Sequence, residues 1–335
     1  MSRICYFCPD FSLPSGGTKC LYRHVFQLNR LGYNAFIVHS KRGFKIAWHG
    51  YDVPVLWLDD WVMFGPRDIC VFPEGMTQMM KQSREFNLCR VVIALSWSYI
   101  YERLPSGEDW NDYGIVNVIT SSQTIREFVE WSMNIPAEII SNYVDCAKFA
   151  YRPDSKIRKI SYMSRKSGDL VATIATKNGG PASRYQWRRL LDLNEDQYAT
   201  ELMESVVYVA TGLHEGANVS VLEAMSAGCI VVGFSGIGAR EYMVADGAQQ
   251  NCIMVENGDL LALGRALERV IVNLERDPEH FNPLIRNAIA TASRYRSLDD
   301  EGSSLKAYFD TLLRQIGPHS ADKDPASAPY VTRKS

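Results

Sequence analysis

Short runs of apolar residues alternate along this chain with longer stretches in which apolar positions recur every three or four residues. The first pair is Ile4–Cys8 and, after the Pro/Gly-rich PDFSLPSGG, the spaced set Leu21, Val25, Leu28 and Leu31. The run predicts a strand, and the spacing predicts an amphipathic helix from Thr18 to about Leu31, ended by Gly32. Further strands are expected at Ala35–His39, Val53–Leu58, Asp68–Phe72, Arg90–Leu95 and Ile115–Thr120, and SSQTIREFVEWSM reads as a helix with hydroxyl N-cap candidates. After an irregular stretch at 146–158 the alternation restarts. A strand in KISYM is followed by a helix (Asp169–Lys177), a strand (Trp187–Leu193), a helix (Asp196–Ser205) and a strand (Val206–Ala210). Glu223 then opens the helical run LEAMSAG, a strand follows at Cys229–Phe234, and residues 259–275 and 282–316 are helical by pattern. Repeated βα alternation predicts an α/β protein of two doubly wound domains. Their expected bounds are 1–150 and 151–300, with a final helix at 301–316. The polar, Pro/Ser-rich 317–335 is expected to be disordered.

Composition narrows the class. At 335 residues, 46% hydrophobic and 22% charged, the chain can bury two ordinary cores. The net charge of −2 gives no global attraction to nucleic acid, and Arg152 and Arg188-Arg189 form no basic stripe. No run reaches transmembrane length, and MSRICYFCPDF lacks a signal-peptide core. The eight cysteines lie mainly in apolar or mixed contexts, which predicts reduced thiols and a cytoplasmic protein. Cys5 and Cys8 form a CxxC without a second pair or a His cluster, so no zinc site is expected.

Chemistry concentrates in residues 206–241, VVYVATGLHEGANVSVLEAMSAGCIVVGFSGIGARE. A strand runs into a loop holding Glu215-Gly216, Glu223 follows, and a later glycine loop (Gly236, Gly238) is closed by Glu241. Ligands of parallel sheets sit at the carboxyl ends of the strands. Two carboxylates one loop apart, beside glycines that expose backbone N–H groups, suit a polyhydroxylated anion: carboxylates accept from hydroxyls, and N–H groups at a helix N-terminus hold phosphate.

This segment resembles the Glu-x7-Glu signature of retaining glycosyltransferases with the GT-B fold, family-4 type. EGANVSVLEAMSAGCIVV and GIGARE align without a gap with the usual EGFG-x-P-x-LEAMA-x-G-x-PVV and GG-x-x-E. Three further stretches carry the likeness. Gly16 and Gly17 resemble the PxGG loop near the donor phosphates. AEIISNYVDCAKF is similar to V-I-x-N-G-V-D-x-x-x-F, with Tyr143 in place of the glycine. YMSRK, ending in Arg165-Lys166, resembles a YMPRK subgroup.

The resemblance implies two Rossmann-like domains facing across a cleft, the final helix crossing back to the first. It implies transfer of a sugar from a nucleotide-diphosphate donor to a glycan, lipid-linked or small-molecule acceptor. Glu215 would contact the sugar hydroxyls, helped by Gly216, Ala217 and Asn218, with Val219 and Leu222 in the same donor-binding segment. Glu223 would bind the ribose, and Arg165 and Lys166 would stabilise the leaving diphosphate. No metal or other cofactor is required; the one D-x-D string, Asp322-Lys323-Asp324, lies in the polar tail. The chain departs from the family where a histidine usually points at the donor sugar: VVIALSWSYIYERL offers Ser96 or Trp97 instead, with His214 a further candidate. A non-catalytic subunit binding nucleotide sugar or glycan is the alternative, and a sugar-nucleotide 2-epimerase lacks its expected histidine and acid pattern. The basic and aromatic HSKRGFKIAWHGY fits an exposed loop, an acceptor groove or peripheral contact with the inner face of a membrane.

Overall fold

The computed structural model describes residues 2–163, 168–177 and 179–316. They divide into two compact units, one formed by residues 2–141 with 298–316, the other by 142–297.

The first unit runs β1 (Arg3–Phe7), α1 (Gly16–Arg30), β2 (Asn34–His39), β3 (Val55–Trp57), β4 (Ile69–Pro73), α2 (Thr77–Gln82), β5 (Cys89–Ala94), α3 (Trp97–Glu102), β6 (Asn117–Thr120), α4 (Gln123–Met133) and β7 (Ala137–Ile139). The strands form one parallel sheet in the order β3-β2-β1-β4-β5-β6-β7. Alternation along β1 explains its unbroken apolar run. Ile4 and Tyr6 pack with Leu21, Val25 and Leu28 of α1, whereas Cys5 and Phe7 face Phe72, Trp110 and Val129 on the other side. A strand covered on both faces needs apolar side chains at every position.

The second unit runs β8 (Ile157–Met163), α5 (Gly168–Lys177), β9 (Gln186–Leu190), α6 (Glu195–Glu204), β10 (Ser205–Ala210), α7 (Val219–Ser226), β11 (Ile230–Gly233), β12 (Ile253–Met254), α8 (Leu260–Arg276) and α9 (Asn282–Ala292). Its parallel sheet has the order β12-β11-β10-β8-β9. Tyr208 and Ala210 of β10 face a core with α7 and α9, while Val207 and Val209 face one with α5 and α8.

The chain leaves the second unit in α10 (Leu298–Ile316), whose Leu305, Phe309 and Leu312 complete the α1 side of the first core. Arg23 donates from Nε to both oxygens of Glu301 at 2.8 and 3.0 Å, and the glutamate is wholly buried. Burial raises the Glu301 carboxyl, and Arg23 opposes the shift. The neighbouring His24 is pushed down to about 3, by burial first and by the Arg23 charge second. Its 3.6 Å approach to Glu301 is therefore that of a neutral ring rather than an ion pair.

Four local expectations change. Gly16 and Gly17 are the first two residues of α1 rather than part of the loop before it. Glu223 sits inside α7, which begins at Val219. The helical stretch 282–316 is two helices broken at 293–297. Residues 142–150 lie in the second unit, where Val144 N–H donates to Tyr295 O and Phe149 enters the core. In the basic-aromatic stretch 39–51, Phe44, Trp48 and Tyr51 pack against the first core. Lys45 pairs with Asp52 and Arg42 with Asp60. Among the described residues no helix is long and apolar enough to cross a membrane. The expected tail at 317–335, with its D-x-D string, lies outside the described residues.

Candidate functional site

In the second unit the loop after β10 is built around Glu215. Its N–H donates to Gly236 O at 2.8 Å, and its own carbonyl accepts from Gly238 N–H at 3.2 Å, so the loop pairs like a short parallel strand with 236–238. Glycines surround the side chain for a steric reason. A Cβ at Gly212 would lie 2.1 Å from Glu215 Oε1, and one at Gly236 would lie 2.6 Å from its Cγ. At Gly238 it would lie 1.7 Å from Gly216 O. Between the two loop glycines Ile237 adopts φ +75°, ψ −60°, a conformation rare for a β-branched residue. Strain of this kind persists where surrounding contacts over-determine the backbone, commonly at functional sites.

The next turn carries AlaAsnValSer where the family reads F-G-x-P. Asn218 takes the left-handed conformation (φ 47°), which asparagine tolerates better than most residues. Tyr208 Oη donates to Ser220 Oγ at 3.1 Å, and Ser220 Oγ donates to Asn218 Oδ1 at 2.9 Å, fixing the turn that starts α7. Tyr242 Oη lies 2.9 Å from Ala217 O and 2.7 Å from Asn218 O and braces the turn from below. Glu223, 8% exposed, accepts from Tyr198 Oη at 3.1 Å on Oε2. Leu222 is buried in the core, so it supports α7 rather than presenting a side chain to a ligand. Val219 is half-buried and packs on the same core, and His214 is exposed beside Glu215. Arg165 and Lys166 lie outside the described residues.

In the first unit the sheet order reverses between β1 and β4, which makes the carboxyl ends of those strands the natural crevice. Gly16 and Gly17 open α1 there, Gly17 so close to the β5 end that an added Cβ would meet Leu95 at 3.4 Å. The loop before them is tied down by Asp10, which accepts from Ser40 and Lys41 N–H groups and lies 3.1 Å from His39 Nδ1. Ser96 occupies the N-cap position of α3 without a side-chain capping bond and is buried; its Oγ is 3.0 Å from Ser98 Oγ. Trp97 packs against Phe128, with ring centroids 5.8 Å apart, so part of its indole serves the core. Behind this turn stands Glu74, directly after β4. Sequence patterns gave no signal for Glu74 or for Tyr198: each is a single polar residue outside any motif.

Thus the second unit gathers His214, Glu215, Gly216, Ala217, Asn218, Val219 and Glu223 at one sheet end, and the first gathers Gly16, Gly17, Ser96 and Trp97 at another. Among the described residues no group of three His, Cys, Asp or Glu is arranged to hold a metal ion.

Comparison with known proteins agrees with this architecture. Residues 176–273 match the family model described as glycosyl transferases group 1. An alpha-1,6-glucosyltransferase of Actinobacillus pleuropneumoniae serotype 7 (strain AP76) is 23% identical over 238 residues, covering 69% of this chain and 72% of that protein. Among solved structures, sucrose-phosphate synthase from Thermosynechococcus elongatus superposes with TM-score 0.69 at 12% identity, covering 94% of this chain and 100% of that one. Anabaena HepE in complex with UDP-glucose gives 0.61 at 14% identity, covering 92% and 99%. The pneumococcal O-GlcNAc transferase GtfA, in complex with UDP and GlcNAc, gives 0.63 at 9% identity, covering 94% and 99%. The chain has the GT-B fold, and the stretch that matches the group 1 glycosyl transferase model lies in its second unit.

Proposed function

We propose that this protein is a retaining hexosyltransferase that moves a sugar from a nucleotide-diphosphate donor to a glycan, lipid-linked or small-molecule acceptor without a metal. The observation that carries the reading is the glycine-collared Glu215, set one loop before Glu223 at the carboxyl end of the second sheet. In this reading Glu215 accepts hydrogen bonds from donor sugar hydroxyls. Glu223, steadied by Tyr198, accepts from the ribose hydroxyls. The turn at Gly216, Ala217 and Asn218, at the start of α7, supplies N–H groups to the sugar and diphosphate. Arg165 and Lys166 supply the positive charge that stabilises the departing diphosphate, a role in which one lost group raises the barrier by roughly 2–4 kcal/mol. The relatives crystallised with UDP-glucose or with UDP and GlcNAc make UDP-hexoses the first donors to test.

The test is a thermal-shift and donor-hydrolysis screen of UDP-, GDP- and dTDP-sugars, with and without EDTA, beside Glu223→Ala and Arg165→Ala. One nucleotide family is expected to stabilise the wild type and to be hydrolysed slowly, unaffected by EDTA, with both effects lost in the variants. Absence of binding by every donor would overturn the reading. Binding without hydrolysis or transfer would favour a non-catalytic nucleotide-sugar-binding subunit, the alternative that Ser96 in place of the family histidine supports.

A further inference from the structure

Glu74 follows β4 at the point where the first sheet reverses order, and it is 5% exposed. Its own N–H donates to Ile93 O at 3.1 Å, which pins its backbone to the end of β5. Its carboxylate faces the next loop: Oε2 accepts from Leu95 N–H at 3.2 Å and Oε1 from Ser96 N–H at 2.9 Å. Among the described residues no cation supports this charge. Burial pushes the carboxyl up to about 7, against the pull of the backbone N–H groups. A buried carboxylate without a cation is expensive, and a core that needed only bulk would hold an apolar residue here. What the carboxylate supplies is two acceptors at a fixed separation, matched to two successive backbone N–H groups.

We infer that Glu74 is a positioning residue for the transfer reaction, holding the Leu95–Ser96 turn so that Ser96 and Trp97 are presented to the substrate. The inference rests on the glycosyltransferase reading above. Glu74 does not touch the substrate; it acts through the turn. Glutamine keeps the shape of the side chain but offers one acceptor and one NH₂ group. One of the two backbone N–H groups then meets a donor, and the turn loses its two-point hold.

The experiment compares wild type, Glu74→Gln and Glu74→Asp in UDP-glucose hydrolysis and transfer, with UDP affinity by calorimetry and amide exchange over residues 95–98. In the proposed reading the nucleotide is held mainly by Glu223, Arg165 and Lys166, none of which Glu74 touches, so UDP affinity is expected to stay within about twofold in all three. Loosening a turn by a fraction of an ångström is expected to lower kcat about tenfold or more in Glu74→Gln, with faster exchange at 95–98. Glu74→Asp, which keeps the carboxyl group but shortens the reach, should fall between. A Glu74→Gln enzyme with kcat within twofold of wild type overturns the inference while leaving the glycosyltransferase reading intact. Should Glu74→Gln fail to fold, Glu74→Asp decides by the same criterion. A wild type that neither binds UDP nor hydrolyses any nucleotide sugar overturns the reading, and the inference falls with it.

Discussion

Tyr198 holds the carboxylate that the proposed function assigns to the donor ribose. Its Oη donates to Glu223 Oε2 at 3.1 Å, and its ring packs edge-on against Phe149 at 5.7 Å, so both ends of the side chain are fixed. Burial, with the Glu223 charge adding to it, holds the phenol well above its ordinary pKa, so it stays a donor across the working range. Removing the hydroxyl takes away one of the contacts that orient the Glu223 carboxylate. A hydrogen bond to a charged group contributes about 1.5–3 kcal/mol, part of which water returns in the variant. Tyr198→Phe is therefore expected to weaken nucleotide binding about 5- to 20-fold. Because a ribose contact is made equally in ground and transition states, KM should rise while kcat changes little. Steady-state kinetics with the best donor checks this; an unchanged KM would separate Tyr198 from the donor site. The same scale explains what the sequence hid. Glu215 and Glu223 were legible because glycines and LEAM surround them at fixed spacing. Tyr198 and Glu74 act across sequence gaps of 25 and 22 residues, and only the folded sheet brings each to its partner.

At the scale of elements, apolar runs marked the principal strands because both sheets are buried on both faces, which leaves little ambiguity about where a strand lies. The pattern failed where an element is short or begins on residues of poor helix propensity. β12 has two residues, α3 has six, and α1 starts on Gly16-Gly17, which read as loop. The resemblance implied that the final helix returns to the first unit, as it does, but not that it is held there by Arg23 and Glu301, which are 278 residues apart. Both members are buried, so the pair is costly to halve and cheap to replace whole. Arg23→Met is expected to destabilise the first unit by about 3–5 kcal/mol, because Glu301 is left buried without its guanidinium partner. Arg23→Met with Glu301→Leu should recover most of that loss, as apolar substitution of a whole buried pair is commonly neutral or better. Urea unfolding of the single and double variants measures both. A double variant no more stable than Arg23→Met alone would show that the ion pair, rather than packing of α10, holds the helix.

At the scale of the whole molecule, the two units differ in how the chain builds them. The second is one continuous segment, 142–297, with a core on each face of its sheet, and its ends are joined by the 2.8 Å hydrogen bond from Val144 N–H to Tyr295 O. Among the described residues, nothing in its cores comes from outside that segment. The first unit is discontinuous: Leu305, Phe309 and Leu312 of α10 seal the side of the sheet on which Tyr6, Leu21 and Val25 are buried. Cutting the chain should therefore have unequal consequences. A fragment of residues 142–297 is expected to melt cooperatively and to bind the same nucleotide as the full chain, because Glu215, Glu223, Tyr198 and their supporting glycines all lie within it. A fragment ending at Ser141 should expose the α1 face of its core and aggregate or remain molten, since apolar surface left uncovered near the centre of a small domain outweighs its modest stability. Supplying residues 298–316 as a separate peptide should restore a cooperative melt to that fragment by covering the same face. Calorimetry on the three preparations checks the argument: a 142–297 fragment that folds but does not bind nucleotide would mean that essential donor contacts come from the first unit.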